Sequence, residues 1–156
     1  MQFVIDTSTL IILQKLGWLN LCHHGDNKFI WPPSVTLELK FKKSKNKEVF
    51  DLLTSGVVTE SEMRRQVSIE GISVTDAEVI SLAIERQATV LSEDVLLREK
   101  AAKIGCPANS LASFCVLIYQ SGLSTKDECL TRLKTLNDRK FLSTTEYRQF
   151  LQGLLP

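Results

Sequence analysis

The sequence predicts an α/β fold with a mainly parallel sheet. Short apolar segments at residues 2–5, 29–31 and 88–92 alternate with longer stretches of helical periodicity. Such alternation is typical of right-handed β–α–β units, in which helices cover a parallel sheet. The 156 residues, of which 44% are hydrophobic, suffice for one domain with a buried core.

The first unit is a strand, a turn and a helix. Residues 2–5 form a short strand that stops at Asp6. The hydroxyl-rich residues 7–9 are expected to turn the chain into an apolar helix, which ends at Gly17 because glycine favours the end of a helix.

A second strand and a lysine-rich segment follow. Residues 29–31 form the strand, and the prolines at 32–33 end it. Pro33 suits the first position of a helix that runs to residue 41. After the lysines, residues 46–54 form a helix and residues 57–59 a third strand.

The clearest helix start in the sequence is at residue 75. Thr75 can cap a helix, and Glu78 three residues later completes a capping box. The helix runs to Arg86, and its apolar side consists of Val79, Ile80, Ala83 and Ile84. A strand at residues 88–92 comes next.

The remainder of the chain is helical. A helix over residues 95–104 is closed by Gly105. Three more helices are expected at residues 110–120, 126–136 and 144–154. We expect residues 1–156 to form one domain with a core over about 2–105 and a helical extension over about 108–156.

Charge and cysteine content exclude several classes of protein. Nineteen basic and eighteen acidic residues give a net charge of +1, so total charge does not indicate a nucleic-acid or membrane partner. The four cysteines form no C-x-x-C pair, which favours reduced thiols in a cytoplasmic protein. Neither a signal peptide nor a membrane-spanning run is evident.

Carboxylates stand where a parallel sheet would gather them. Asp6 and Asp94 each follow a strand, and the carboxyl ends of parallel strands share one crevice. Glu38 lies on a helix after the second strand, and the sequence alone leaves open whether Asp76, in the first turn of its helix, faces the same end of the sheet. Grouped carboxylates repel unless a cation neutralises them, and carboxylate oxygens favour Mg²⁺ or Mn²⁺. Hydroxyl groups that can orient the acids or a water belong to Thr7, Ser8 and Ser92.

Each acid also has a purely structural interpretation. Asp6 and Asp94 can cap the helices that follow them. Asp76 and Glu78 can simply stabilise the positive end of a helix, and Glu38 can be a solvated helix residue. Spacing alone leaves these alternatives open.

Four stretches together resemble the PIN-domain family. They occur in the family's order: residues 3–8 (FVIDTS), 33–39 (PSVTLEL), 76–83 (DAEVISLA) and 90–94 (VLSED), followed by Arg98 and Ala101. The resemblance covers about residues 2–105 and is strongest to small prokaryotic PIN proteins, which include toxins of the VapC type and many uncharacterised relatives. It implies an α/β/α sandwich, here with extra C-terminal helices.

The resemblance also implies a metal-dependent ribonuclease. The catalytic acids carried over are Asp6, Glu38, Asp76 and Asp94, of which Asp6, Asp76 and Asp94 would hold Mg²⁺ or Mn²⁺. Glu78 and Glu93 are alternative members. The residues expected to contact RNA are Thr7, Ser8, Arg98, Lys42 and Lys43, although lysines 40–47 also suit a solvated turn.

Partners and rival classes follow from the same residues. A type II toxin would pair with a small antitoxin protein, and similar proteins are often homodimers.

A HAD-type phosphatase needs an acid two residues after Asp6, where Ser8 stands, and a receiver domain needs an N-terminal acidic pair that is absent. The remaining alternative is a catalytically silent PIN-like module that binds RNA or protein.

Overall fold

The computed structural model describes residues 1–41 and 46–155, and within them five strands form one sheet. The strands are β1 (Gln2–Ile5), β2 (Lys28–Trp31), β3 (Val58–Glu60), β4 (Thr89–Leu91) and β5 (Ala108–Asn109). Their spatial order is β3-β2-β1-β4-β5, and all neighbouring pairs are parallel. The predicted α/β class with a parallel sheet is confirmed.

Helices account for most of the remaining described residues. A 3-10 helix spans Leu19–His23. The α-helices are α1 (Thr7–Leu16), α2 (Pro33–Phe41), α3 (Lys47–Thr54), α4 (Val74–Arg86), α5 (Val95–Lys103), α6 (Leu111–Gln120), α7 (Lys126–Asp138) and α8 (Thr144–Leu154).

The middle of the sheet is the centre of the core. Phe3, Val4 and Ile5 of β1 are completely buried, as are Val90 and Leu91 of β4. Strands that are covered on both faces need apolar residues on both faces, which is why these segments are continuous apolar runs rather than alternating ones. Their sequence therefore predicts their place in the sheet.

Strand order creates a crevice at the carboxyl ends of β1 and β4. From β1 the chain proceeds to β2 and β3 on one side, then crosses to β4 on the other side of β1. Ligands of open parallel sheets bind at such a switch point, outside the carboxyl ends of the strands. The register aligns Ile5 with Leu91, so that Asp6 and Ser92 leave the sheet side by side.

The chain divides into two compact units. The first spans Met1–Asn109 and contains the sheet; the second begins at Ser110 and contains α6, α7 and α8. In the second unit α7 packs against both α6 and α8, and Thr125 and Ser143 begin α7 and α8 with capping boxes. The three C-terminal helices are as predicted, whereas the single domain remains a prediction.

Helix starts differ from the sequence prediction at two places. Residues 7–9 are the first turn of α1 and not a separate turn, because the Asp6 side chain caps the helix one residue earlier. Helix α4 is capped by Ser73 and not by Thr75. The extended backbone of Ser73 lets its hydroxyl accept from the amide of Asp76, and Thr75 is already helical, so the Thr75–Glu78 capping box is wrong.

Two smaller expectations also need correction. Ile84 was expected on the buried side of α4 but is 41% exposed, because the buried face lies over residues such as Ile80 and Ala83. The two-residue strand β5 was not predicted. It is too short to produce a recognisable alternation and exists through its pairing with β4.

The cysteines are free thiols. All four are buried, and none of them forms a disulfide, as the sequence predicted. Burial raises the pKa of the Cys22 thiol to about 12, so it stays protonated and behaves as a small apolar side chain. Over the described ranges, no helix combines the length and apolar character needed to cross a membrane.

Candidate active site

A pocket of about 530 Å³ lies in the first unit at the carboxyl ends of the strands. It is lined by acids, hydroxyl residues, two isoleucines and a lysine: Asp6, Thr7, Ser8, Ile11, Ile12, Lys15, Glu38, Ser73, Asp76 and Asp94. The four acids proposed from the sequence therefore border one pocket, although they come from four separate segments of the chain.

Asp6 is the most buried of these acids, with 3% of its surface exposed. Its Oδ1 accepts from the amide of Thr9 at 3.0 Å, which caps α1. Its Oδ2 accepts from the hydroxyls of Ser92 at 2.6 Å and Ser8 at 3.2 Å. The structural interpretation of Asp6 as a helix cap is thus correct, and the same side chain also borders the pocket.

Ser92 connects Asp6 to the loop that carries Asp94. The Ser92 hydroxyl accepts from the amide of Asp94 at 3.0 Å while donating to Asp6. Asp94 then caps α5 through a 3.0 Å bond from the amide of Leu97. The loop is held further by the amide of Glu93, which donates to the hydroxyl of Thr9 at 2.9 Å.

Glu38 reaches the pocket from α2. The hydroxyl of Thr7, in the first turn of α1, donates to Glu38 Oε2 at 2.5 Å. Both residues line the pocket. This bond fixes the Glu38 carboxylate next to the start of α1, although 31 positions separate the two residues in sequence.

Asp76 completes the acidic lining from the first turn of α4. A helix that leads into a parallel strand starts at the carboxyl end of the sheet, and this geometry decides which end of the sheet Asp76 faces. The Ser73 hydroxyl accepts from the amide of Asp76 at 3.1 Å. Ser73 also lines the pocket, so the helix cap and the site share a residue.

The ionised carboxylates of Asp6 and Asp76 are disfavoured at the pocket. Burial raises the pKa of Asp6, although hydrogen bonds from Ser92, Thr9 and Ser8 oppose the shift. Burial likewise raises the pKa of Asp76, against a hydrogen bond from Ser73, and the negative charges of Asp6, Asp94 and Glu38 raise it further. The acids are close enough to repel one another, which favours either a proton or a cation among them.

The donor set fits a hard divalent ion. Carboxylate and hydroxyl oxygens are the ligands of Mg²⁺ and Mn²⁺, and the pocket offers both kinds. Within residues 1–41 and 46–155, however, no three His, Cys, Asp or Glu side chains converge into a ready-made metal cluster. Hydrogen bonds from Thr7 and from the amide of Leu97 fix the carboxylates of Glu38 and Asp94 at the pocket.

Several other predicted residues lie outside the pocket lining. The guanidinium of Arg98 donates to the carbonyl of Ser92 at 2.7 Å, so it braces the loop before α5. Glu78 and Glu93 are not among the lining residues. Lys42 and Lys43 lie outside the described residues.

Four lining residues were not predicted from the sequence: Ile11, Ile12, Lys15 and Ser73. A helical signal was available for three of them. Ser8, Ile11, Ile12 and Lys15 have the spacing i, i+3, i+4 and i+7 that places side chains on one face of a helix. Ser8, at the N-terminal end of that face, was already a predicted site residue.

Nearly the whole chain matches one family model. The family model described as DUF3368: PIN domain matches residues 2–154. The chain belongs to the PIN-domain family. PIN domains are typically nucleases, and the match extends through the C-terminal helices, beyond the residues that carried the resemblance in the sequence.

Solved structures show the same fold for this PIN domain. It is similar to a PilT N-terminus domain protein from the hyperthermophilic archaeon Sulfolobus solfataricus P2, with a TM-score of 0.55 and 19% identity over 72% of this chain and 89% of that one. A domain of a functionally unknown protein from Methanocaldococcus jannaschii DSM 2661 gives a TM-score of 0.54 and 19% identity over 70% and 89% of the chains. No curated protein matches the chain.

Proposed function

We propose that this PIN domain is a ribonuclease that depends on Mg²⁺ or Mn²⁺. The observation that carries the proposal is the convergence of Asp6, Glu38, Asp76 and Asp94 on one pocket at the switch point of the sheet. Carboxylates are repelled by a phosphodiester, so an acidic pocket can accept RNA only with cations bound. Membership of a family of nucleases supports the same reading.

Three acids would hold the cation in this proposal: Asp6, Asp76 and Asp94. A bound divalent ion would supply charge neutralisation, an acidified water and stabilisation of the departing oxygen. Ser92 orients Asp6 through the bond to its Oδ2. Thr7 orients Glu38, and Glu38 would complete the site or accept a proton from the attacking water.

The test is cleavage of generic single-stranded RNA by the purified chain. We expect cleavage with Mn²⁺, none with EDTA, and a loss of at least two orders of magnitude in Asp6→Asn. Asparagine caps helices as well as aspartate, so this variant should keep α1. The control is Asp51→Asn, an exposed acid of α3 away from the pocket, which should keep full activity.

A catalytically silent module is the second candidate. The absence of a ready-made metal cluster among the described residues favours it. Calorimetric titration with Mn²⁺ separates the two functions. A protein that binds RNA but takes up no Mn²⁺ at millimolar supply, and cuts nothing, is the module.

The cellular role proposed is that of a type II toxin with a small antitoxin partner. Leu37 and Phe41 are 55% and 92% exposed on α2, one turn apart and beside Glu38, and so offer an apolar surface to such a partner. Expression of the chain alone in the cytoplasm should arrest growth, and co-expression with the partner should restore it. The homodimer is likewise a proposal, which sedimentation analysis can test.

A further inference from the structure

The acidic pocket continues along one face of α1. Ser8, Ile11, Ile12 and Lys15 all line it, and their spacing forms a stripe along the helix. From Thr7 to Lys15 the helix rises about 12 Å. The pocket is therefore elongated, with acids at the start of α1 and a lysine near its end.

The middle of the stripe is apolar. Ile11 and Ile12 are adjacent, partly exposed residues in a pocket that is otherwise polar or charged. Partly exposed apolar side chains at a binding pocket provide contact area for flat, weakly polar groups. In RNA those groups are the faces of unpaired bases, which pack on apolar or aromatic side chains.

A positively charged side chain, that of Lys15, lies at the far end of the stripe. Lys15 is exposed, and it forms no ion pair with a carboxylate of the described residues. Because side chains of an α-helix tilt toward its N-terminus, Lys15 leans back over the pocket rather than away from it. Lys15 lies in the last turn of α1, about 12 Å along the helix from Thr7, which places it for a second phosphate beyond the one at the acids.

We propose that Lys15, with Ile11 and Ile12, holds single-stranded RNA along α1. A base packs on the isoleucines, and Lys15 contacts a phosphate beyond the one at the acids. The inference rests on the proposed ribonuclease function for its substrate. It adds that binding is selective for unpaired strands, because a base in a duplex cannot lie on the isoleucines. The two isoleucine side chains carry no hydrogen-bonding groups and so read no base edge.

The test is equilibrium binding, which does not depend on cleavage. The protein is titrated into a fluorescein-labelled single-stranded oligoribonucleotide in a buffer that contains Ca²⁺, and binding is followed by fluorescence anisotropy. We expect Lys15→Ala to weaken binding about fivefold for every sequence and to reduce the slope of log K against log salt by about one. Lys15→Arg should retain most of the affinity.

The matched control for the lysine is Lys103→Ala. Lys103 is also an exposed lysine in the last turn of a helix, α5, and does not line the pocket. Both substitutions remove the same interaction with the helix C-terminus, so a difference between them reports RNA contact. Equal affinities for the two variants would overturn the role of Lys15.

The isoleucines are tested with an abasic strand. Ile12→Ala should weaken binding of the normal oligonucleotide but not of one that lacks bases, whereas the Lys15→Ala effect should persist on both. An unchanged affinity for the normal strand, or equal loss on both strands, contradicts base packing. The wild type and its variants could show these affinities while the wild type cleaves no RNA with Mn²⁺. The nuclease proposal would then fail, and the proposed binding of RNA along α1 would stand.

Discussion

The hydroxyl of Ser92 donates to Oδ2 of Asp6 across 2.6 Å, although the residues lie 86 positions apart. The bond joins the ends of the neighbouring strands β1 and β4 at the switch point of the sheet. Ser92 is completely buried. It fixes the direction in which the Asp6 carboxylate faces the pocket.

Ser92→Ala should therefore reduce the rate of RNA cleavage about 10- to 100-fold, because groups that orient metal ligands have effects of that size. The free energy of unfolding should fall by about 1–3 kcal/mol, since a buried carboxylate loses a donor. Cleavage kinetics and chemical denaturation measure the two effects. Ser81→Ala is the control: Ser81 is also buried and hydrogen-bonded, to Val67 and Ala77, but lies outside the pocket. It should lose stability and keep its rate.

Asp6→Asn should stabilise the metal-free protein near neutral pH. Burial raises the pKa of Asp6 in the folded protein above its value of about 3.9 in an unfolded chain. The contribution of Asp6 to the free energy of unfolding is therefore fully present below about pH 3.9, and it is lost as the pH rises through the pKa of Asp6 in the folded protein. The uncharged variant does not have this loss, and we expect a gain of roughly 1–2 kcal/mol.

Urea denaturation in EDTA at several pH values measures that gain. The difference between wild type and variant should be smallest at the acidic end and grow with pH. Asp51→Asn should parallel the wild type throughout. A variant that is less stable than the wild type at every pH would show that the hydrogen bonds of the Asp6 carboxylate outweigh its desolvation.

Glu38 and Asp94 should differ in their effect on metal binding. Mn²⁺ at 100 times its dissociation constant should stabilise the wild type by about 2.7 kcal/mol, which raises the melting temperature by several degrees. Asp94→Asn should lose much of this increase and also the activity. Glu38→Gln should keep the increase and lose activity at least 100-fold, because its proposed role is in water activation.

Thermal unfolding with and without Mn²⁺ provides the measurement. Glu99→Gln, an exposed acid on α5 outside the pocket, should behave as the wild type in both assays. Loss of the manganese effect in Glu38→Gln would assign Glu38 to the metal ligands instead.

Ser73→Ala should combine a stability loss with a catalytic one. Ser73 caps α4 and lines the pocket beside Asp76. Loss of an N-cap costs about 1 kcal/mol, and the freed first turn should also move Asp76. Thr125→Ala removes the N-cap of α7 in the second unit and should cost similar stability without a change in cleavage rate. Equal rates for the two variants would mean that the cap does not position Asp76.

The sequence predicted the parts of the fold that depend on local pattern. Residues 2–5 and 88–92 were recognisable as strands because burial on both faces demands apolar side chains throughout. Asp6 and Asp94 could be placed together because parallel strands end at a common edge. Strand β5 could not be predicted, since two residues carry no periodicity and depend on a partner strand.

The details of the site depended on choices that local pattern leaves open. Ser73 and Thr75 are both good helix caps, and only the backbone geometry at Ser73 shows which hydroxyl accepts the amide of Asp76. Similarly, Lys15 is one of many lysines in the sequence. Only the structure shows that Lys15 lines the same pocket as Asp6.

The order in which the pocket is assembled has a consequence for synthesis of the protein. The four acids are spread from β1 to the turn after β4, so a partly translated chain has Asp6 long before Asp94. Until β4 emerges from the ribosome and inserts beside β1, the nascent polypeptide lacks both Ser92 and the last carboxylate. The pocket of this PIN domain is therefore incomplete until β4 has been synthesised and has paired with β1.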